Sequence, residues 1–232
     1  VILVVVSGRP YALGDYADRC AAVIQAFFPG EEGAEAIAGV LSGRINPSGR
    51  LPVGVPRASG GQPGTYLTPE LGWYSEGVSN LDPRPLYPFG YGLSFTTFEI
   101  SQPELSDKEI RVDGRVDVSV RVTNTGHLPG AHVVQLYLSD PVAQVVRPLK
   151  QLAGFTKVWL DAGQTRTVTF HLSADMMSFT GRDYTRIVEP GEIRICVGGH
   201  SEDLSGCVEL TLSGGVRVLG EGRTLTVPVT LQ

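Results

Sequence analysis

The 232-residue sequence has little cysteine, little histidine and no long apolar run. Its three cysteines, Cys20, Cys196 and Cys207, are too few and too unevenly spaced for a disulfide framework or a CxxC metal site. The net charge is -5 and no cluster of Lys and Arg is present, whereas phosphate binding needs such clusters. No segment reaches the roughly 18 to 20 apolar residues of a membrane-spanning helix. We therefore expect neither nucleic acid nor a membrane as a partner.

Motifs for cofactor binding and for self-sufficient catalysis are also missing. Neither GxGxxG nor GxxxxGK[ST] follows the first apolar run, and no GxSxG elbow occurs. The four histidines all lie in the second half of the chain, and the HxxxxH spacing of His127 and His132 gives no metal-ligand face. The sequence therefore predicts no cofactor, no metal and no complete set of catalytic residues.

The cysteines have ordinary interpretations. We predict Cys20 to be a buried thiol on a helix, because free cysteine is usually buried. Cys196 and Cys207 lie on consecutive strand-like runs joined by a polar loop. A hairpin disulfide between them is geometrically allowed, and the sequence leaves open whether it forms.

The first 41 residues follow a strand and helix pattern. The run VILVVV at residues 1 to 6 is typical of a parallel strand covered on both faces, and its abrupt start without Met indicates the middle of a longer polypeptide. After the turn at Ser7-Gly8-Arg9-Pro10, apolar residues at helical spacing predict a helix over 17 to 28 that ends at Pro29-Gly30. A second helix is predicted over 34 to 41.

Residues 42 to 92 lose this periodicity and are rich in Gly, Pro and Ser. So long an irregular segment is expected either to be functional or to wrap another domain. Within it, Trp73 and Tyr74 stand together.

From about residue 98 the apolar period changes to two. Val116, Val118, Val120 and Val122 alternate with polar residues, and a turn follows at Asn124-Thr125-Gly126. Further strands are predicted over 133–139, 152–159, 165–172, 192–198 and 206–212. Short strands separated by turns at this spacing predict an antiparallel sandwich of immunoglobulin-like type. Residues 213 to 232 are expected to add one more strand or to remain a tail.

Four phrases occur in a specific order along the chain. They are PGEEGAEAIAGVLSGRINPSGRLPVGVPR at 29–57, PLYPFGYGLSFTTFE at 85–99, VTNTGHLPGAHVVQLYLSDP at 122–141 and RPLKQLAGFTKVWLDAGQTRTVTFHL at 147–172. Together they resemble the C-terminal part of glycoside hydrolase family 3, from residue 1 to about 212. The resemblance implies an α/β fragment, the end of an α/β sandwich domain with a long connecting loop, over 1–92. It also implies an all-β, fibronectin type III-like sandwich over 98–212.

The same resemblance implies that the catalytic residues lie elsewhere. In this family an Asp nucleophile lies in an N-terminal barrel domain, and the Glu acid/base usually precedes the strand matched here by VILVVVSGRP. Neither position is matched in this chain, so the barrel and the rest of the α/β domain are missing partners. We interpret Glu31, Glu32 and Glu35 as surface carboxylates at a helix start, where negative charge suits the dipole.

The resemblance also suggests the class of reaction and substrate. TYLTPELG at 65–72 and the phrase that ends in PLYPFG are more similar to bacterial β-xylosidases than to β-glucosidases of the family, which often carry a GYRYYD-like phrase here. The expected function is the C-terminal portion of a retaining, exo-acting β-glycosidase that acts on plant-type oligosaccharides, itself inactive. The alternative is a free-standing β-sandwich module for carbohydrate binding or adhesion.

Trp73 and Tyr74 are the candidate substrate contacts. One interpretation has them packed against the sandwich or against the missing part of the α/β domain, because large aromatic residues mostly serve burial. The other places one of them at the sugar-binding entrance of the complete enzyme, since loops on a rigid scaffold often carry such contacts.

Overall fold

The computed structural model describes residues 1–61, 64–73, 82–204 and 206–232. Its α-helices are α1 Tyr16–Arg19, α2 Gly33–Leu41 and α3 Glu70–Trp73, and 3-10 helices span Ser59–Gly61 and Ala174–Met177. The strands are β1 Ile2–Val5, β2 Ala22–Gln25, β3 Phe98–Ile100, β4 Glu104–Leu105, β5 Glu109–Arg111, β6 Arg115–Asn124, β7 Gly130–Ser139, β8 Gln151–Leu160, β9 Thr165–Ser173, β10 Phe179–Thr180, β11 Arg186–Val188, β12 Gly191–Gly198, β13 Gly206–Ser213, β14 Arg217–Val218 and β15 Val229–Leu231.

The N-terminal region, residues 1 to 41, holds a two-stranded parallel sheet. The strand predicted from VILVVV is confirmed as β1, and it pairs in parallel with β2. The helix predicted over 17–28 is wrong, because α1 stops at Arg19 and β2 follows it. The apolar residues that fit a helical period also form a short apolar run ending in Val23 and Ile24, which pair with β1 instead. The second predicted helix is confirmed as α2.

Two five-stranded sheets make up most of the rest of the chain. One has the order β5-β13-β12-β7-β8, and the other has the order β15-β9-β6-β3 with β4 also paired to β6. All pairs in these sheets are antiparallel except β13 with β5. The six longer strands predicted from alternation are confirmed as β6, β7, β8, β9, β12 and β13. The short strands β3, β4 and β5 were not predicted, since they have too few residues to show a period, whereas β15 lies in residues 213–232, where one more strand or a tail was expected.

The core lies between these two sheets. Val116, Val118, Val120 and Val122 all point inward from β6 and are 0–2% exposed. They meet inward-facing residues of β7, β9, β12 and β13, including the fully buried Phe170. The alternation in the sequence therefore reports the face that each strand buries.

Asn124, at the predicted turn after β6, organises one end of the sandwich. Its side chain is fully buried. Its Oδ1 accepts hydrogen bonds from Thr96 Oγ1 at 2.7 Å and from the Gly126 N–H at 3.1 Å. Its Nδ2 donates to the carbonyls of Leu128 at 2.8 Å and Leu160 at 3.1 Å. The side-chain amide of Asn124 thus supplies hydrogen-bond partners to backbone groups on the turn and at the end of β8.

The C-terminal segment runs back along the sandwich, and β15 pairs with β9. Asp175, 8% exposed, accepts hydrogen bonds from Arg217 Nη1 and from the Thr224 N–H, both at 2.7 Å. His171 joins Asp117 Oδ1 on β6 to Thr230 Oγ1 on β15, with both distances 2.8 Å. These contacts hold the segment in place.

The cysteines differ from one another in the structure. Cys196 and Cys207 are directly opposite on β12 and β13 and form a disulfide bond. Cys20 is free, but it caps the short helix α1 and is only partly buried, so the predicted buried helix thiol is wrong. Within the described residues, no helix is long and apolar enough to cross a membrane.

Candidate functional site

Trp73, one of the two candidate substrate contacts, ends helix α3 and is 7% exposed. The ammonium of Lys150, from the loop between β7 and β8, lies 5.4 Å from the centre of the indole ring. Burial lowers the pKa of Lys150, and the nearby Glu202 opposes that shift. A cation over an aromatic face is attracted by the ring's quadrupole, so the pair helps to fix α3 to the sandwich.

Backbone contacts hold the same segment in place. The Leu149 N–H donates to the Thr68 carbonyl at 2.9 Å, and the Leu152 N–H donates to the Tyr66 hydroxyl at 3.2 Å. These bonds join residues 66–68 to the start of β8. Trp73 therefore lies in the junction between the long irregular segment and the sandwich. Tyr74 lies outside the described residues, and the assignment of either residue to substrate remains a prediction.

Other described residues of the irregular segment cover part of the outer face of the sheet that contains β7. The Tyr66 ring stacks on Phe89 with centres 4.2 Å apart, and it meets Tyr137 of β7 edge-on at 6.2 Å. The Tyr137 hydroxyl donates to Gln135 Oε1 at 2.7 Å, and Gln135 Nε2 donates to the Gly90 carbonyl at 3.1 Å. Burial raises the pKa of Tyr137 well above its usual range.

Gly90 is required where it lies. Its φ is +82°, a backbone conformation that side chains with a Cβ rarely adopt. A Cβ added there would also overlap the side-chain amide of Gln135. Gln135 and Tyr137 alternate with core residues as solvent-facing residues would, yet they are 2% and 1% exposed. Alternation in the sequence shows which face of a strand a residue lies on, but not whether another segment covers that face. The burial of Gln135 and Tyr137 was therefore not predicted.

A second junction joins Arg50 to His132 at the end of the sandwich. Arg50 Nη2 lies 3.3 Å from His132 Nδ1, and the His132 ring packs on Phe98 with centres 4.9 Å apart. Burial lowers the pKa of His132 to about 4, and the charge of Arg50 adds to the shift. Because a guanidinium can only donate, Nδ1 accepts and the proton of the neutral ring lies on Nε2.

The carboxylates of the described residues have structural partners or lie on the surface. Glu31, Glu32 and Glu35 are exposed, and Glu35 pairs with Arg44 at 3.2 Å. The less exposed Asp140 and Asp175 pair with Arg147 at 3.3 Å and Arg217 at 2.7 Å. Burial raises the pKa of Asp140 and Arg147 opposes the shift.

The described residues form no candidate metal site. Among residues 1–61, 64–73, 82–204 and 206–232, no group of three or more His, Cys, Asp or Glu side chains could hold a metal ion.

Two family models match the chain. Residues 1–95 match the glycosyl hydrolase family 3 C-terminal domain, and residues 132–201 match the fibronectin type III-like domain. Together with the strand-rich fold, these matches define a family 3 C-terminal domain followed by a fibronectin type III-like domain. The chain belongs to glycosyl hydrolase family 3.

Curated relatives and solved structures agree with this assignment. A β-xylosidase of Formosa agariphila is 39% identical over 204 residues, which cover 87% of this chain and 28% of that protein. A periplasmic β-glucosidase of Salmonella typhimurium is 41% identical over 207 residues, which cover 85% of this chain and 27% of that protein. The chain thus spans little more than a quarter of the length of these relatives.

The structural similarity extends over nearly the whole chain. A β-glucosidase from Listeria innocua, solved in complex with glucose, matches with a TM-score of 0.86 at 34% identity, covering 93% of this chain and 31% of that one. A β-glucosidase from Erythrobacter marinus matches with a TM-score of 0.85 at 40% identity, covering 91% and 28%. The relatives include both xylosidases and glucosidases.

Proposed function

We propose that this chain is the C-terminal portion of a retaining, exo-acting β-glycosidase. The enzyme would hydrolyse O-glycosidic bonds at the non-reducing ends of plant-type oligosaccharides in two steps through a glycosyl-enzyme intermediate. The two carboxylates of that mechanism would lie outside these 232 residues. The chain alone would then be inactive.

The observation that carries this proposal is the similarity to family 3 β-glycosidases over most of this chain but little more than a quarter of theirs. The carboxylates present here support it, since Asp140 and Asp175 are each committed to an arginine.

The proposed organisation assigns residues 1–92 to the end of an α/β sandwich domain and 98–212 to the fibronectin type III-like sandwich. Residues 213–232 extend that sandwich. The exposed apolar side chains of β1 and of the segments beside it support this division, since Val1 and Phe28 are 94% and 77% exposed. The rest of the α/β domain would cover them.

Within the family we favour a β-xylosidase over a β-glucosidase. The phrase TYLTPELG at 65–72 supports this choice. The test is to assay a longer protein that includes the preceding barrel on aryl xyloside, glucoside and arabinofuranoside. The expected result is the highest kcat/KM on the xyloside, with the first-formed product retaining its anomeric configuration. A higher kcat/KM on the glucoside would overturn the preference, and an inverted product would overturn the retaining mechanism.

The same assay on the 232-residue chain tests where the catalytic carboxylates lie. We expect no turnover, because losing both groups removes most of the transition-state stabilisation. Turnover that survives repurification and is lost on substituting a carboxylate of this chain would refute the proposal.

We further propose that Trp73 or Tyr74 contacts the substrate in the longer enzyme. Trp73→Ala or Tyr74→Ala would then lower kcat/KM on a xyloside about tenfold, which is about 1.4 kcal/mol, and Trp73→Ala would also lower the Tm, because its indole is 7% exposed. A lower Tm with unchanged kinetics would show that the residue serves packing alone.

A further inference from the structure

Strand β8 carries two exposed aromatic side chains on one face. Phe155 and Trp159 are 64% and 58% exposed, and no other aromatic residue on a strand of the described residues is more than a third exposed. β8 is the edge of its sheet, so nothing is paired beyond it within the described residues. Exposed aromatic residues lose the free energy of burial, and their grouping on one surface indicates a binding site.

The register of the sheet fixes the geometry of this pair. Phe155 pairs with Gln135, Lys157 with Val133 and Trp159 with Ala131, without interruption. The intervening Val158 points into the core and is fully buried, so Phe155, Lys157 and Trp159 share the outer face. The two aromatic residues are four positions apart along the strand, a distance of about 13 Å, which is comparable to the length of a short oligosaccharide.

The chemistry of the three residues fits a β-linked sugar chain. A pyranose with equatorial substituents presents C–H groups on its ring faces, which stack on aromatic rings. Its hydroxyls accept hydrogen bonds, and the exposed Lys157 ammonium between the two rings can donate them.

The charge of Lys157 argues against a second copy of the chain as the occupant. Antiparallel pairing of two β8 edges that set Phe155 against Trp159 would also place Lys157 opposite its own copy. Like charges directly opposite are destabilising, and an edge lysine is a common device against strand pairing. Lysine is likewise depleted from the dry centre of protein interfaces.

We propose that Phe155, Lys157 and Trp159 form a carbohydrate-binding surface for uncharged β-linked oligosaccharides. The choice of ligand rests on the proposed glycosidase function. The surface would hold a substrate chain near the enzyme without taking part in hydrolysis. Because its test measures binding by this chain, it can fail while the hydrolytic function stands, and the reverse also holds.

The first experiment is affinity electrophoresis of the 232-residue chain in gels containing soluble arabinoxylan or barley β-glucan. The polysaccharide is expected to slow the migration of the wild-type chain. Trp159→Ala and Phe155→Ala should each raise the dissociation constant derived from that shift about tenfold. Trp159→Phe should keep part of the binding, because a ring face remains. Tyr184→Ala is the matched control, since Tyr184 is an exposed aromatic residue on a turn, 92% exposed.

The second experiment uses fluorescence, because the chain has two tryptophans and Trp73 is buried. In Trp73→Phe, Trp159 alone reports, and xylohexaose should quench or blue-shift its emission. Unretarded wild-type chain with unchanged Trp159 emission would overturn the proposal. Equal loss of binding in Tyr184→Ala, or a dimer by light scattering that depends on Trp159, would also overturn it.

Discussion

The sandwich and the N-terminal region bury their apolar side chains to very different extents. Val118, Phe170 and Leu172 of the sandwich are fully buried, whereas Val1 and Phe28 of the N-terminal region are 94% and 77% exposed. Two sheets packed face to face enclose a core, but a two-stranded sheet with short helices cannot. The sandwich therefore encloses a core of its own, whereas we expect the apolar side chains of the N-terminal region to need further cover.

The irregular segment between them belongs energetically with the sandwich. Gln135, Tyr137 and His132 on β7 contact Gly90, Tyr66 and Arg50 of that segment. We therefore expect residues 42–61, 64–73 and 82–97 of this segment to be held by the sandwich even where they have no regular secondary structure.

The largest expected effect on the free energy of unfolding comes from a comparison of two phenylalanines, one in each region. Phe170→Ala should lower the free energy of unfolding by about 3–5 kcal/mol, because it leaves a cavity in the core. The matched Phe28→Ala should change it by less than about 0.5 kcal/mol, since Phe28 is already exposed. Urea unfolding measures both values. Similar losses of unfolding free energy in the two variants would contradict the difference in burial between the two regions.

The next effect concerns Asn124, at the end of the sandwich. Asn124→Ala should cost about 2–4 kcal/mol, because it leaves buried donors and acceptors on the turn and on β8 without partners. The control is Thr123→Ala on the same strand, where only an exposed hydroxyl pair with Thr165 at 2.8 Å is lost. Urea denaturation should show a clearly lower free energy of unfolding for Asn124→Ala than for Thr123→Ala. An Asn124→Ala variant as stable as wild type would contradict this prediction.

The cysteines give a third comparison between the regions. Reducing the Cys196–Cys207 bond, which joins residues 11 apart in sequence, should lower the free energy of unfolding by about 2–3 kcal/mol. Cys20→Ser should have little effect with the disulfide intact. Unfolding with and without reductant, in the Cys20→Ser background, measures the difference. An unchanged unfolding midpoint after complete reduction would be the contrary result.

The pH dependence of stability tests the junction at His132. Burial, with the charge of Arg50, lowers its folded-state pKa to about 4 from 6.5. Between those values the unfolded state binds more protons at this residue, so the stability that His132 contributes should fall as the pH is lowered from 6.5 to about 4 and change no further below that. The contribution is about 2–3 kcal/mol. His132→Gln should flatten this part of the profile and His127→Gln, at an exposed site, should not. Identical profiles for wild type and His132→Gln would contradict the assignment.

The sequence predicted the parts of the fold in which local pattern and tertiary burial agree. The alternation at Val116 to Val122 predicted β6, and the apolar run VILVVV predicted β1. The prediction of a helix over 17–28 was wrong because its apolar residues fit a helical period and also form a short apolar run typical of a strand. Pairing with the parallel strand β1 favours the strand. Only the tertiary structure could show that Gln135 and Tyr137 are covered, or that Lys150 lies over Trp73.

The most direct test of the difference between the two regions is hydrogen exchange of backbone amides, read by mass spectrometry on the 232-residue chain. Amides of β6, β7 and β12 should exchange only through global unfolding, those of residues 85 to 97 somewhat faster, and those of β1 and β2 fastest of all. This order is the predicted result. Protection of β1 and β2 equal to that of β6 would contradict the account, because it would show that residues 1 to 41 share the stability of the sandwich.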